Sequence, residues 1–290
     1  MAKTFSPVSP VACNFVEPKS AVKPASIRFH DVPTSFRLLK QTPVPAMPPV
    51  ADGVRVVTAA EYKQAAACLA EAFGEDDVAR YFIDVPDREH WTAEEKWALH
   101  VEILEYVTYA HILKGLVTTV GEFEAVALWY VEDDSHEILV ALTISRMPPG
   151  QNMDDYLTIF RSGMWRLNYR LSPEGKRRFF DEFLPLLHDT MQTTLGEREH
   201  EAWYLVYIGT RPSGRGKGHA RKLIEHVTKV ADGEGRPCYL ESSNASNPPI
   251  YRRFGFAECR TIQLQRGGRN IPLDIMVREP VSAEKKRNGI

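Results

Sequence analysis

Cysteine is scarce in this 290-residue chain. The four residues, Cys13, Cys68, Cys238 and Cys259, form no C-x-x-C pair. That spacing supports neither a thiolate metal centre nor a disulfide framework, so they read as reduced thiols, mostly core filler. No apolar run is long enough to span a membrane, and the N-terminus lacks the apolar core of a secretory signal. The expectation is a cytoplasmic protein without a membrane partner. Excess charge is missing too. Lys and Arg number 36 against 38 Asp and Glu, for a net charge of −2. No basic repeat is present, so no nucleic-acid partner is expected. No His-x-x-x-His stands with carboxylates, so no metal is expected. Neither G-x-G-x-x-G nor G-x-x-x-x-G-K-[ST] occurs.

What is present is an ordinary globular composition, 43% hydrophobic and 26% charged, with ample length for a core. Residues 1–52 hold nine of the 20 prolines, with Pro43, Pro45, Pro48 and Pro49 close together. Proline removes backbone donors and breaks helix and sheet alike. This stretch reads as an extended arm, although Ser26 to Leu39 carries apolar residues that can pack on a domain. The domain proper spans 53–280, and 281–290 is a charged tail.

Within the domain, Val54 to Thr58 reads as a strand and Ala60 to Phe73 as a helix capped by Thr58. An acidic turn follows at Glu75-Asp76-Asp77. Thr92 with Glu95 is a capping box that opens a long helix to Lys114, with Trp97, Val101, Leu104, Val107 and Ile112 as its apolar face. Leu116–Val120 and Ala125–Val131 form a hairpin. His136 to Met147 fits a strand or a short helix. Asp154–Gly163 and Ser172–Gln192 read as two helices, the second with Ser172 as cap and Pro173 at its first position.

Trp203 to Ile208 is an aromatic and aliphatic strand, stopped at Gly209. After Thr210-Arg211-Pro212-Ser213 the period changes. Ala220, Leu223, Ile224, Val227 and Val230 share one helical face, and Gly233 and Gly235 close that helix. Gly216 and Gly218 let the chain turn where a Cβ would clash. The first amides of the helix have no intrahelical partner and make an anion site, for which phosphate is the usual guest; Arg215 and Lys217 add charge. Pro237–Glu241 is the next strand, Asn247–Phe254 a short helix, and Ala257–Gln265 and Ile271–Arg278 the last two strands.

Arg215-Gly216-Lys217-Gly218-His219-Ala220 after a strand and a proline resembles the Q/R-x-x-G-x-G/A acetyl-CoA signature of the GNAT acyltransferases. Asn247-Pro248-Pro249-Ile250-Tyr251, leading to Gly255-Phe256, resembles that superfamily's second motif. Leu240-Glu241-Ser242-Ser243 and the Pro-x-Tyr spacing are most similar to the puromycin N-acetyltransferase branch. The matched part runs from Trp203 to Thr261, roughly a fifth of the chain. The resemblance implies an α/β fold, a mixed central sheet flanked by helices, with a helical insertion before the cofactor strand.

It also implies roles. The strand through Tyr207, Ile208 and Gly209 lies along the pantetheine arm of acetyl-CoA, and an amide at or beside Ile208 polarises the acetyl carbonyl. The amides of Arg215 to Ala220 cradle the pyrophosphate, and Asn247 reaches the pantetheine. Tyr251 protonates the leaving thiolate; its reference pKa of about 10 exceeds a thiol's ~8.5. Glu241 takes the amine's proton directly or through water, or only binds the ammonium. Phe73, Tyr81 and Trp129 line the acceptor pocket. The activity implied is acetyl transfer to a primary amine of a small molecule. A protein or peptide amine, or a binding module without catalysis, stand as alternatives. The chain is expected as a monomer or a homodimer.

Overall fold

The computed structural model describes residues 53–131 and 153–281. The proline-rich arm, the stretch from His136 to Met147 and the tail from Ser282 lie outside the described residues. In chain order the elements are β1 (Val54–Val56), α1 (Tyr62–Phe73), α2 (Asp77–Tyr81), α3 (Ala93–Lys114), β2 (Leu116–Val120) and β3 (Ala125–Val131). The insertion follows, with α4 (Met153–Ser162), α5 (Leu167–Arg170), α6 (Pro173–Lys176), a π-helical turn (Arg177–Phe183) and α7 (Leu184–Leu195). Then come β4 (Trp203–Thr210), α8 (His219–Glu234), β5 (Cys238–Ser242), α9 (Pro248–Arg252), β6 (Ala257–Leu264) and β7 (Ile271–Arg278).

The seven strands form one sheet in the order β1-β2-β3-β4-β5-β7-β6. Every pair is antiparallel except β4 with β5. This is the mixed sheet flanked by helices that the motifs imply. Its two faces are covered differently. Leu223, Ile224, Val227 and Ala231 of α8 pack against Trp203, Leu205 and Leu240 on one face. On the other, Leu69 of α1 and Leu104 of α3 lie over Val126 and Leu128, and Met191 and Leu195 of α7 cover Tyr204 and Tyr239.

Several boundaries follow local chemistry that the periodicity missed. Asp76 does not sit in an open turn. Its Oδ1 accepts from the amides of Val78 and Ala79 at 3.0 and 3.1 Å, starting α2. Gly209 does not end its strand, which runs on to Thr210. The residue is needed for close approach instead: a Cβ there would lie 2.7 Å from the Ala72 Cβ of α1. Gly233 lies inside α8, and Gly235, at φ 71°, is the cap. The expected single helix from Ser172 to Gln192 is broken by the π turn. Pro185 has no N–H to return to the carbonyl four residues back, and the ladder shifts, with the Leu184 amide bonded to Phe179 O, five residues back. In α3 the buried face is centred on Leu99, Ile103, Tyr106 and Ala110, while Trp97 is 45% exposed. Two buried charges tie α8 to the last strand: Arg278 Nη1 and Nη2 donate to the two Asp232 oxygens at 2.8 and 3.0 Å.

Candidate active site

β4 and β5 pair only through Trp203–Leu205 and Cys238–Leu240. Beyond Leu205 they part. The cause is visible on the other edge of β4. Trp129 faces Leu205 and Leu128 faces Tyr207, so Val206 has no opposite number on β3. One extra residue bends a strand and raises its twist, which swings β4 away from β5. The split opens a cleft. Six of the expected site residues line it: Phe73, Tyr207, Ile208, Glu241, Asn247 and Tyr251.

Glu241 lies near the end of β5. Parallel pairing sets Tyr204 opposite Tyr239, so Glu241, two residues on, shares their face. The Tyr204 hydroxyl donates to Glu241 Oε2 at 2.5 Å. Tyr204 is itself buried and packed edge-on against Tyr239, with centroids 5.4 Å apart. Glu241 Oε1 is shielded from solvent and has no hydrogen-bond partner. The residue as a whole keeps some surface toward the cleft, but the titrating carboxyl is buried. Burial raises it from its ordinary 4.5 to about 7, against the lowering effect of the Tyr204 and Tyr239 hydroxyls. Tyr239 brings its hydroxyl near the carboxylate but does not reach hydrogen-bond geometry. Tyr204 is therefore the partner that holds the group.

Tyr251 projects from α9, whose first turn starts at Asn247: the Asn247 carbonyl accepts from the Ile250 and Tyr251 amides, and its side chain makes no cap. The Tyr251 phenol is buried, and burial alone pushes it up to about 12. It therefore stays protonated at neutral pH. The same cleft thus holds a carboxyl near its midpoint and a phenol far below its own, two titrating groups set apart by environment.

The loop before α8 has the properties of an anion seat. Gly216 and Gly218 have φ of 79° and 75°, and a Cβ added to either would meet nothing within 4 Å. Gly218 opens α8 without a side-chain cap. Among the described residues, no backbone carbonyl outside the helix accepts from the amides of Gly216 to Ala220. Arg215 is exposed. Lys217 is engaged: its Nζ donates to Glu124 Oε1 at 2.6 Å, and this lowers the Glu124 carboxyl. His219 is buried, with Nε2 3.0 Å from Glu124 Oε2. The angle is poor, and both ring nitrogens lack a hydrogen-bond partner. Ala220 begins the buried side of α8 half-covered, and Gly209 lies beneath α1 as described.

Two expected pocket residues are elsewhere. Trp129 is fully buried on the opposite face of the sheet, among the residues packed on α8. Strand alternation decides this: Leu128, its neighbour, faces α1 and α3. Tyr81 is also fully buried. Its hydroxyl donates to Glu182 at 2.5 Å and accepts from the Arg266 amide at 2.8 Å, a structural tie between α2, the insertion and the β6–β7 turn. Phe82, one residue on, lines the cleft instead. Tyr204, Phe179 and Phe183 also line it; the sequence places them only in a strand and in the helix expected over Ser172–Gln192. The shared face of Tyr204 and Glu241 was the missed signal, and it needs the β4–β5 register. Among the described residues no cluster of His, Cys, Asp and Glu could hold a metal. No helix there is long and apolar enough to cross a membrane.

The chain matches the Acetyltransferase (GNAT) domain family over residues 190–258. It is 45% identical over 230 residues to an uncharacterized N-acetyltransferase, C550.08, of Schizosaccharomyces pombe, covering 79% of this chain and 84% of that one. Among solved structures it is similar to the polyamine N-acetyltransferase of Drosophila melanogaster, which forms N-acetylagmatine. The identity is 16%, over 78% of this chain and 98% of that one, with a TM-score of 0.48. It is also similar to histone acetyltransferase HPA2 and related acetyltransferase from Corynebacterium glutamicum, at 20% identity over 79% and 96%, with a TM-score of 0.46. Those two scores bear no argument about substrate. The identity to the Schizosaccharomyces pombe relative extends over most of both chains, and with it the chain belongs to the GNAT acetyltransferases and is an acyltransferase enzyme of the N-acetyltransferase type.

Proposed function

We propose that this enzyme transfers the acetyl group of acetyl-CoA to a primary amine of a small molecule, as the puromycin N-acetyltransferase branch does. One observation carries the reading: Glu241 Oε1, buried and unpartnered, and Tyr251 line one cleft at the β4–β5 split. The loop residues fit the nucleotide. Amides that meet no backbone acceptor outside the helix among the described residues, and open space at Gly216 and Gly218, suit a pyrophosphate, which backbone donors at a helix start hold well. Arg215, exposed in the same loop, adds positive charge, and Asn247 faces the cleft where a pantetheine would run.

When bound, acetyl-CoA supplies the thioester, whose C–S bond breaks as the amine nitrogen forms the new C–N bond. Glu241 accepts the proton that the nitrogen loses, directly or through one water. A carboxyl near 7 suits that task at neutral pH. Tyr251 donates its phenolic proton to the departing sulfur, so the proton count closes. The amide of Ile208, on the part of β4 that has left β5, supports the charge that develops on the carbonyl oxygen.

Release of free thiol from acetyl-CoA in the presence of an amine panel tests the reading. Tyr251→Phe is expected to lower kcat by about 10²-fold, with KM for acetyl-CoA little changed. Unchanged turnover in that variant removes Tyr251 as the acid. Absence of thiol release with every amine, despite acetyl-CoA binding, removes the transferase reading.

A further inference from the structure

The chemistry of the cleft wall goes further and specifies the acceptor, provided the amine-acetylating reading above holds. The insertion builds the inner wall. Its π turn delivers Phe179 and Phe183 to the cleft, each in contact with Phe82, at ring-centroid distances of 5.1 and 4.9 Å. π turns are rare and cluster at functional sites. This one is pinned from behind by Arg178, which is 2% exposed. Arg178 Nη1 donates to Tyr81 O at 3.0 Å, and its Nε donates to Glu174 Oε1 at 3.2 Å. Ile103, Leu187 and Leu273 complete an apolar wall.

The charge on that wall is equally restricted. Among the described residues its lining includes two carboxylates and no Lys or Arg. Asp76 is already committed: Oδ1 accepts from two amides of α2, and Oδ2 accepts from the Ser243 hydroxyl at 2.6 Å. His100 and His111 face the cleft as neutral rings. His100 Nε2 lies 3.1 Å from Ala70 O, and His111 Nδ1 lies 2.8 Å from Val107 O; burial holds both below the usual histidine range. Glu241 Oε1 is left as the unpartnered anionic atom of the wall.

We infer that the acceptor is a monoamine whose body is apolar, aromatic or branched aliphatic, seated against Phe82, Phe179, Phe183 and Leu187 with its nitrogen at Glu241. Seated on that apolar patch, a polyamine or amino sugar would set a second cation or a row of hydroxyls against carbon. An acceptor carrying carboxylate or phosphate would meet no Lys or Arg among the described residues of the wall. A peptide would set its amides against Phe82, Phe179, Phe183 and Leu187, which offer them no hydrogen bonds.

The test uses the full chain with acetyl-CoA and five acceptors: 2-phenylethylamine, 3-methylbutylamine, spermidine, glucosamine and a lysine-containing tripeptide. The two apolar monoamines are expected to show kcat/KM at least about tenfold above the other three. Phe183→Ala is expected to raise KM for 2-phenylethylamine about tenfold, with KM for acetyl-CoA within about twofold, and Phe183→Leu to fall between it and the wild type. A melting curve for each variant separates lost folding from lost recognition, and the wild-type panel stands on its own if a variant fails to fold. Spermidine, glucosamine or the tripeptide matching the monoamines overturns the acceptor class and leaves the transferase reading intact. Transfer to none of the five, with acetyl-CoA bound, overturns both.

Discussion

Replacing Glu241 by Gln should make the folded protein lose less stability as pH rises. Burial raises this carboxyl from 4.5 to about 7. Below pH 4.5 the group is protonated in both the folded and the unfolded chain. Between 4.5 and 7 the folded chain keeps the proton and the unfolded chain has lost it, so each pH unit costs the folded state about 1.4 kcal/mol. From pH 5 to pH 8 the cost accumulates to about 3 kcal/mol, after which it is constant. Gln removes the titration but keeps an oxygen that can accept the Tyr204 hydroxyl. Guanidinium unfolding of both proteins at pH 5 and pH 8 gives a difference of differences in which every other titrating group cancels. Glu241→Gln should gain about 3 kcal/mol on wild type between the two pH values. A gap that stays constant to within about 0.5 kcal/mol would refute a buried, perturbed carboxyl, and with it the base proposed for the reaction.

Two further outcomes follow from the same contacts. The Tyr204 hydroxyl favours the ionised form of Glu241, so Tyr204→Phe should move the acidic limb of the activity profile upward by about one pH unit. The ratio of variant to wild-type rates across pH removes the amine's own titration and shows the shift directly. Arg278→Met takes from buried Asp232 the guanidinium that donates to both of its oxygens, with side-chain exposures in the native pair of only 8% and 6%. It should cost about 3–5 kcal/mol by chemical denaturation, and Arg278→Met with Asp232→Leu should recover much of it.

Much of this architecture can be read from local residues. The hairpin of β2 and β3, the last strand and the Thr92–Glu95 capping box depend on neighbours in sequence and appear where the pattern puts them. So does the glycine turn that opens α8. Features that depend on partners distant in sequence are hidden. The bulge at Val206 exists only against β3, and nothing in Leu-Val-Tyr announces it. The link from Tyr204 to Glu241 needs the parallel register of two strands joined through α8. Trp129 reads equally well on either face until α8 is known to cover its own. Tyr81 and Phe82 are adjacent aromatics, and the carboxylate of Glu182, far along the chain, decides which of them turns away from the cleft. The π turn has a local cause in Pro185, but its effect, the delivery of Phe179 and Phe183 to the wall, requires the anchor at Arg178.

The claim on which the rest depends is that the amides around Gly216 and Gly218 grip a pyrophosphate. Calorimetric titration of acetyl-CoA into the wild-type protein and into Gly218→Glu tests it most directly. The added side chain strains a residue at φ 75° and places a carboxylate at the anion seat. The account predicts binding near one equivalent by the wild type and none by the variant. No binding by the wild type, or equal binding by both, would contradict it.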